Sequence, residues 1–276
     1  MAANPTRLTL FALWGSVILP GCGALFASDP AMPLPDVPHW IAHRGDSAVV
    51  PENTLAAVRA AFERTPAPTC VEIDVQLSRD GVLVVVHDDE LDRTTGDPRL
   101  VSASDWSEIA SLRAGFTEKF GEQYADEPLP RLEQVLDLAA EFEGHIMIEV
   151  KPREAGAAVG RLLRARNELS QHTVASFEAA ALAAAEDEAP GVRKLYLVSQ
   201  PVQADVALAE ELGASILGCN WEHAHASIVA TAHDAGLVVW TYTVNDAKAA
   251  RELKRAGVDG LISDRITELR AELDGK

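Results

Sequence analysis

The sequence predicts an α/β protein, a (β/α)8 TIM barrel, and three observations lead there. From His39 onward, short apolar segments of strand length alternate with longer stretches of helical periodicity. About eight such units fill roughly 250 residues, the size at which repeated βα units close into a barrel. No glycine-rich phosphate loop follows the first strand, which weighs against the competing doubly wound sheet.

Taken in order, residues 40–43 read as the first strand and 54–64 as the first helix, capped by Asn53 or Thr54. Residues 70–77 and 82–87 are strand-like and flank the turn Ser78-Arg79-Asp80-Gly81. The few residues between them cannot hold a crossover helix, so the chain is expected to return there as an extended segment. That makes nine strand-like segments and an irregular corner. Residues 92–130 contain Gly96-Asp97-Pro98 and Pro128-Leu129-Pro130, and read as a small polar insertion after the third strand, over one end of the fold. Helices are then expected at 131–142, 154–168, 178–188, 203–212, 225–235 and 246–256. Strands are expected between them at 145–151, 173–177, 193–198, 215–219 and 237–243, and a last one at 260–263.

The first 22 residues differ in composition. Arg7 is their only charged side chain, and 8–19 is an almost unbroken apolar run, short for a membrane span but suited to a secretory signal. It ends in Leu19-Pro20-Gly21-Cys22, which resembles a bacterial lipobox. Residues 1–22 are therefore expected to be a lipoprotein-type signal, with Cys22 lipidated; cleavage near Ala27 or an uncleaved anchor are the alternatives. Residues 23–38, with prolines at 30, 33, 35 and 38, read as a semi-rigid tether to a barrel domain at 39–270. The expected location is outside the cytoplasm, held at a membrane through the lipid alone or released to the periplasm or medium. Cys70 and Cys219 fall on separate strands and read as buried thiols. A net charge of −18, from 24 basic and 42 acidic residues, argues against nucleic acid as a partner.

In such a barrel the chemistry sits at the C-terminal strand ends. Those ends carry His43-Arg44-Gly45, Glu72-Ile73-Asp74, His87-Asp88 and Glu149-Val150-Lys151. Strand alternation puts Glu72 and Asp74 on one face, where two carboxylates are costly to bury unless a cation or strong donors neutralise them. A buried histidine or a solvated lysine is ordinary taken singly. Two histidines, three carboxylates, an arginine and a lysine on one rim form a site.

These residues resemble the glycerophosphodiester phosphodiesterase family. The resemblance lies in His43-Arg44-Gly45, Pro51-Glu52-Asn53-Thr54, Glu72-Ile73-Asp74 and the turn Ser78 to Gly81. It continues through His87-Asp88-Asp89-Glu90-Leu91-Asp92-Arg93-Thr94-Thr95-Gly96, Ile148-Glu149-Val150-Lys151 and the run from Gly257 to Asp264. It implies a metal-dependent barrel that cleaves small glycerophosphodiesters to glycerol 3-phosphate and an alcohol. His43 and His87 would be its acid–base pair, and Glu72, Asp74 and Glu149 its metal ligands. Arg44 and Lys151 would contact phosphate, and Glu52 and Asn53 would support the first histidine and the glycerol end. Where the family often has Trp-Thr-Val-Asn, this chain has Tyr242-Thr243-Val244-Asn245, with Trp240 two residues earlier on the same face. Both are expected to wall the substrate. Three carboxylates without cysteine suit one Ca²⁺ or Mg²⁺ better than Zn²⁺. A metal-independent phospholipase-C-like barrel and a non-catalytic phosphodiester-binding lipoprotein are the alternative readings.

Overall fold

The computed structural model describes residue 1 and residues 39–274. The expected signal, Cys22 and the tether fall outside the described residues. Among these, no helix is long and apolar enough to cross a membrane.

Among the described residues nine strands form in chain order: β1 (His39–Ala42), β2 (Cys70–Leu77), β3 (Leu83–Val85), β4 (Ile146–Val150), β5 (Thr173–Ser176), β6 (Arg193–Val198), β7 (Ile216–Asn220), β8 (Val238–Tyr242) and β9 (Gly260–Ser263). Eight of them pair in parallel as β1–β2–β4–β5–β6–β7–β8–β9, and β9 returns to β1, so the sheet closes into a TIM barrel. The extra segment is β3. It runs antiparallel to the end of β2, with Val75 opposite Val85 and Leu77 opposite Leu83. The turn at 78–81 is too short for a helix, so a hairpin arm and the insertion come before the helix Leu132–Glu141 that links β2 to β4. The insertion thus follows the third strand in chain order but the second stave of the barrel.

Strand alternation separates two cores. Ile41, Cys70, Met147, Ala175, Leu195, Leu197, Ile216, Trp240 and Ile262 point inward and fill the barrel. Their neighbours, such as Ala42, Val71, Ile73, Ile148 and Val174, face the surrounding helices. Ile73 is fully buried, and truncating it to alanine should cost about 2–5 kcal/mol. The helix Leu55–Phe62 starts where Thr54 accepts from the amide of Ala57 at 3.1 Å, one of the two caps expected. The helices Arg153–Arg166 and Ala179–Glu188 touch backbone to backbone: a Cβ on Gly156 would lie 2.1 Å from the Ala181 carbonyl oxygen.

Two features were not legible in the pattern. A final helix, Ile266–Asp274, packs behind β1 with Leu269 fully buried. The insertion has a core of its own, in which Leu91, Val101, Ile109, Ala114 and Leu129 close on Val84 and Val86. Its apolar residues are too widely spaced to show a period, because its helices, such as Asp92–Thr95 and Trp106–Ile109, are single turns. Cys70 and Cys219 are buried free thiols, as expected.

Candidate active site

His43 follows β1 directly, and its amide donates to the Ser263 carbonyl at 3.0 Å. That contact brings it beside Asp264, whose Oδ1 lies 2.6 Å from the His43 Nδ1. Asp264 also accepts from Ser47 Oγ at 3.2 Å and from Asn245 Nδ2 at 2.6 Å. Burial alone would raise its pKa, but these donors hold it down to about 2. The carboxylate is therefore ionised and only accepts, so His43 carries its proton on Nδ1. Its Nε2 is turned inward, 3.9 Å from Glu72 Oε2. Burial disfavours the charged ring, yet Asp264 and Glu72 outweigh it and raise the His43 pKa.

Arg44 takes a left-handed backbone, φ 56°, at a cost of about 1–2 kcal/mol. The twist aims its amide at Glu72 Oε2, 2.8 Å away, while its guanidinium reaches Glu52 at 2.7 Å and Asp74 at 3.2 Å. Asn53 is also left-handed, and it grips Asp74 twice: Nδ2 donates to Oδ2 at 2.9 Å and Oδ1 accepts from the Asp74 amide at 3.0 Å.

Glu72 and Asp74 point inward from β2, and Glu149 sits opposite Asp74 in the register with β4. Each of the three offers an oxygen within 4.8 Å of the others. Lys151 donates to Asp74 Oδ1 at 2.9 Å and to Glu149 Oε1. Burial and the Asp74 charge push Glu72 up to about 8, and the same two causes raise Glu149. For Asp74, burial opposes ionisation, but Lys151 and Arg44 hold it at about 2. Glu72 Oε1 is buried with no hydrogen-bond partner among the described residues. An unmet acceptor among hard oxygen donors fits a divalent cation such as Ca²⁺ or Mg²⁺, which would meet it and neutralise the cluster.

His87 lies past β3, where the Val86 amide bonds to the Asp74 carbonyl at 3.0 Å and Gln76 Nε2 bonds to the His87 carbonyl at 3.2 Å. Its Nδ1 is 2.7 Å from Asp88 Oδ1. Arg93 donates to the other oxygen of Asp88, and with both Nη groups to Glu52 at 2.8 and 2.9 Å.

The rim thus joins His43, His87, Arg44, Lys151, Glu72, Asp74 and Glu149. Three expectations change. Glu52 holds Arg44 and Arg93, and Asn53 holds Asp74, so the hydrogen bonds of both go to that network and not to His43. Trp240 is not a wall of the mouth. It is 2% exposed inside the barrel, over Gly260 and 5.5 Å from the His39 ring, because a step of two residues down β8 is a step toward the floor. Tyr242 stays at the mouth with its ring edge-on to Phe177, and its hydroxyl donates to the Val198 carbonyl at 2.8 Å. Sequence reasoning missed the roles of Asp264, Asp88 and Arg93, although all three stand inside motifs it singled out. His172 and His233 face Glu168 at 3.5 Å and Asp259 at 2.9 Å.

Residues 43–268 match the model of the glycerophosphoryl diester phosphodiesterase family. A glycerophosphodiester phosphodiesterase of Caldanaerobacter subterraneus subsp. tengcongensis is 32% identical over 81% of this chain and 93% of its own length. The enzyme of that name from Bacillus subtilis is 28% identical over 83% and 84%. Among solved structures, an Oleispira antarctica phosphodiesterase in complex with the product sn-glycerol-3-phosphate superposes with a TM-score of 0.78 at 30% identity, covering 86% of this chain and 97% of that one. The glycerophosphodiester phosphodiesterase of Agrobacterium tumefaciens gives a TM-score of 0.74 at 28% identity, covering 85% and 100%. With the fold, the rim motifs and the match over nearly the whole barrel in agreement, this chain belongs to the glycerophosphoryl diester phosphodiesterase family.

Proposed function

We propose that this phosphodiesterase hydrolyses glycerophosphodiesters to glycerol 3-phosphate and an alcohol, with one divalent cation and two histidines, in the turnover of glycerophospholipids. One observation carries the reading: two imidazoles, each backed on Nδ1 by a carboxylate, flank a buried carboxylate trio with an unmet acceptor. Glu72, Asp74 and Glu149 would hold the Ca²⁺ or Mg²⁺. When bound, the cation draws negative charge from the phosphodiester oxygens and so opens phosphorus to attack.

The chain's own residues do the rest. Arg44 and Lys151 place two fixed positive charges beside the trio and orient the phosphate. His87 takes a proton on Nε2 from the attacking water, or from the substrate's own hydroxyl. His43 gives its Nε2 proton to the leaving alkoxide. The raised pKa of His43 supports this assignment, since an acid must begin protonated. Tyr242 spends its hydroxyl on Val198 and offers the substrate only its ring.

Purified protein should release glycerol 3-phosphate from glycerophosphocholine or glycerophosphoethanolamine, stop with chelator and recover with Ca²⁺ or Mg²⁺. Turnover that survives exhaustive chelation would favour the metal-independent barrel, and binding without product the non-catalytic one. Export through a lipidated Cys22 belongs to the same proposal. Cys22→Ser should free the protein from membranes with activity intact, and an unchanged membrane fraction would sink the lipid anchor.

A further inference from the structure

Between the two halves of the rim runs an unbroken line of paired groups, a histidine followed by charges of alternating sign. It passes from His87 to Asp88 at 2.7 Å, from Asp88 to Arg93, from Arg93 to Glu52 at 2.8 and 2.9 Å, and from Glu52 to Arg44 at 2.7 Å. Arg44 then reaches Asp74 at 3.2 Å and, through its amide, Glu72 at 2.8 Å. Arg93 is the middle of this line and the member that comes from the insertion. It stands in the single-turn helix Asp92–Thr95, and its guanidinium lies over the Phe116 ring, 5.5 Å from the centroid.

A guanidinium offers five N–H groups in a fixed plane. Here Nε is committed to Asp88 and the two Nη groups to the two oxygens of Glu52, so the plane fixes both carboxylates relative to each other. Glu52 is 9% exposed and is also held by Arg44 at 2.7 Å, which limits how far it can follow a displaced partner. Asp88 is partly buried, and although burial opposes its ionisation, the bonds from Arg93 and His87 hold it below the usual carboxylate range. An ionised Asp88 requires the proton of His87 on Nδ1 and leaves Nε2 as the working nitrogen.

We propose that Arg93 is a positioning residue, through which the insertion sets the tautomer and aim of His87 and ties them to the phosphate-facing Arg44. A lysine in its place keeps the charge but cannot span Asp88 and both oxygens of Glu52 in one plane. This rests on the two-histidine reading above, so its test needs one readout that does not depend on turnover.

Two variants, Arg93→Lys and Arg93→Ala, are compared with the wild type in steady-state kinetics on glycerophosphocholine. In parallel, the imidazole ¹⁵N shifts of each protein are recorded, with His87 assigned by its loss in His87→Ala. A displacement of about 1 Å at a reacting group costs on the order of 10²-fold. In Arg93→Lys, kcat should therefore fall by about 10- to 100-fold with KM nearly unchanged. Guanidinium added to Arg93→Ala should restore part of that loss. His87 should change from a single Nδ1–H tautomer in the wild type to a mixture in both variants. A His87 spectrum that stays single in both would overturn the inference, as would wild-type kcat in Arg93→Lys. If the wild type itself cleaves no glycerophosphodiester, the functional reading falls and the tautomer shift still decides the role of Arg93.

Discussion

His43 at one end of this barrel and three histidines at the other have their pKa values moved in opposite directions. At the C-terminal mouth, His43 has its pKa raised by Asp264 and Glu72 against the effect of burial. At the floor, His39, His145 and His172 begin or directly precede β1, β4 and β5, and burial lowers all three. His145 is pushed down to about 3 and His172 to about 4. Burial acts on both ends. The difference is the geometry of the partner: Asp264 sits 2.6 Å from His43 Nδ1, whereas His172 Nδ1 accepts from the Ile146 amide at 3.2 Å. Protonating that nitrogen would set two donors against each other. One end of the fold therefore keeps histidine as a usable acid and the other uses it as a neutral plug, and each prediction below tests that division.

The widest separation is in activity. His43→Ala and His87→Ala should each lower kcat by about 10²- to 10⁴-fold, the worth of a positioned acid or base, with metal affinity little changed. His145→Ala, at the floor, should leave kcat per folded molecule where it was. A nitrophenyl ester, whose leaving group needs no proton, should rescue His43→Ala and not His87→Ala. Rescue in the reverse pattern would exchange the two roles.

Next in size is the partner of His43. Asp264→Asn removes the charge and offers an amide that can donate to Nδ1, so the ring is free to take the wrong tautomer. A loss on the order of 10²-fold in kcat is expected. The pH profile fixes the cause. An acid with a raised pKa stays protonated to higher pH, so Asp264 should extend activity on the alkaline side. In Asp264→Asn the alkaline limb should move to lower pH. A limb that stays in place would mean that Asp264 only holds the loop.

How much of this division could be read from the chain depends on distance along it. Glu72 and Asp74 were legible because two carboxylates in one apolar strand, two residues apart, announce a shared face. His43 and Lys151 were legible from their places at strand ends. Asp264 was not, since it is 221 residues from His43 and becomes its neighbour only when β9 closes on β1. Arg93 meets Glu52 across 41 residues through an insertion with no period to place it. Trp240 shows the converse limit: parity along β8 gives the face correctly, but depth in the barrel depends on what lies opposite, here Gly260.

A smaller effect concerns metal and stability at the mouth. Glu72 holds a proton up to about pH 8, so the native state binds more protons than the unfolded one between about 4.5 and 8. By linkage, without cation the mouth loses stability as pH rises through that window. Ca²⁺ or Mg²⁺ at 100 times its dissociation constant should add about 2.7 kcal/mol, seen as a rise in Tm that is greatest at alkaline pH. In Glu72→Gln the rise should shrink, and its pH dependence should weaken to what Glu149, whose pKa is also raised, still supplies. An equal rise in both proteins would place the cation elsewhere.

The smallest effect belongs to the floor and has the opposite sign. His172 is 3% exposed, and its native pKa of about 4 lies below the value of about 6.5 for an unfolded chain. As pH falls below about 6.5 the unfolded state takes a proton that the native ring refuses, so stability is full above that pH and is lost on acidification until about 4. At pH 5 the loss from this one ring is about 2 kcal/mol relative to pH 8. Glutamine can accept from the Ile146 amide as His172 does, but it does not titrate. His172→Gln should therefore lie below the wild type in chemical denaturation at pH 8, and the gap should narrow by about 2 kcal/mol at pH 5. Because the carboxylates of the mouth titrate in both proteins, they cancel in that difference. A gap of constant size across the range would show that His172 is protonated in the native floor, and the contrast between the two ends would not hold.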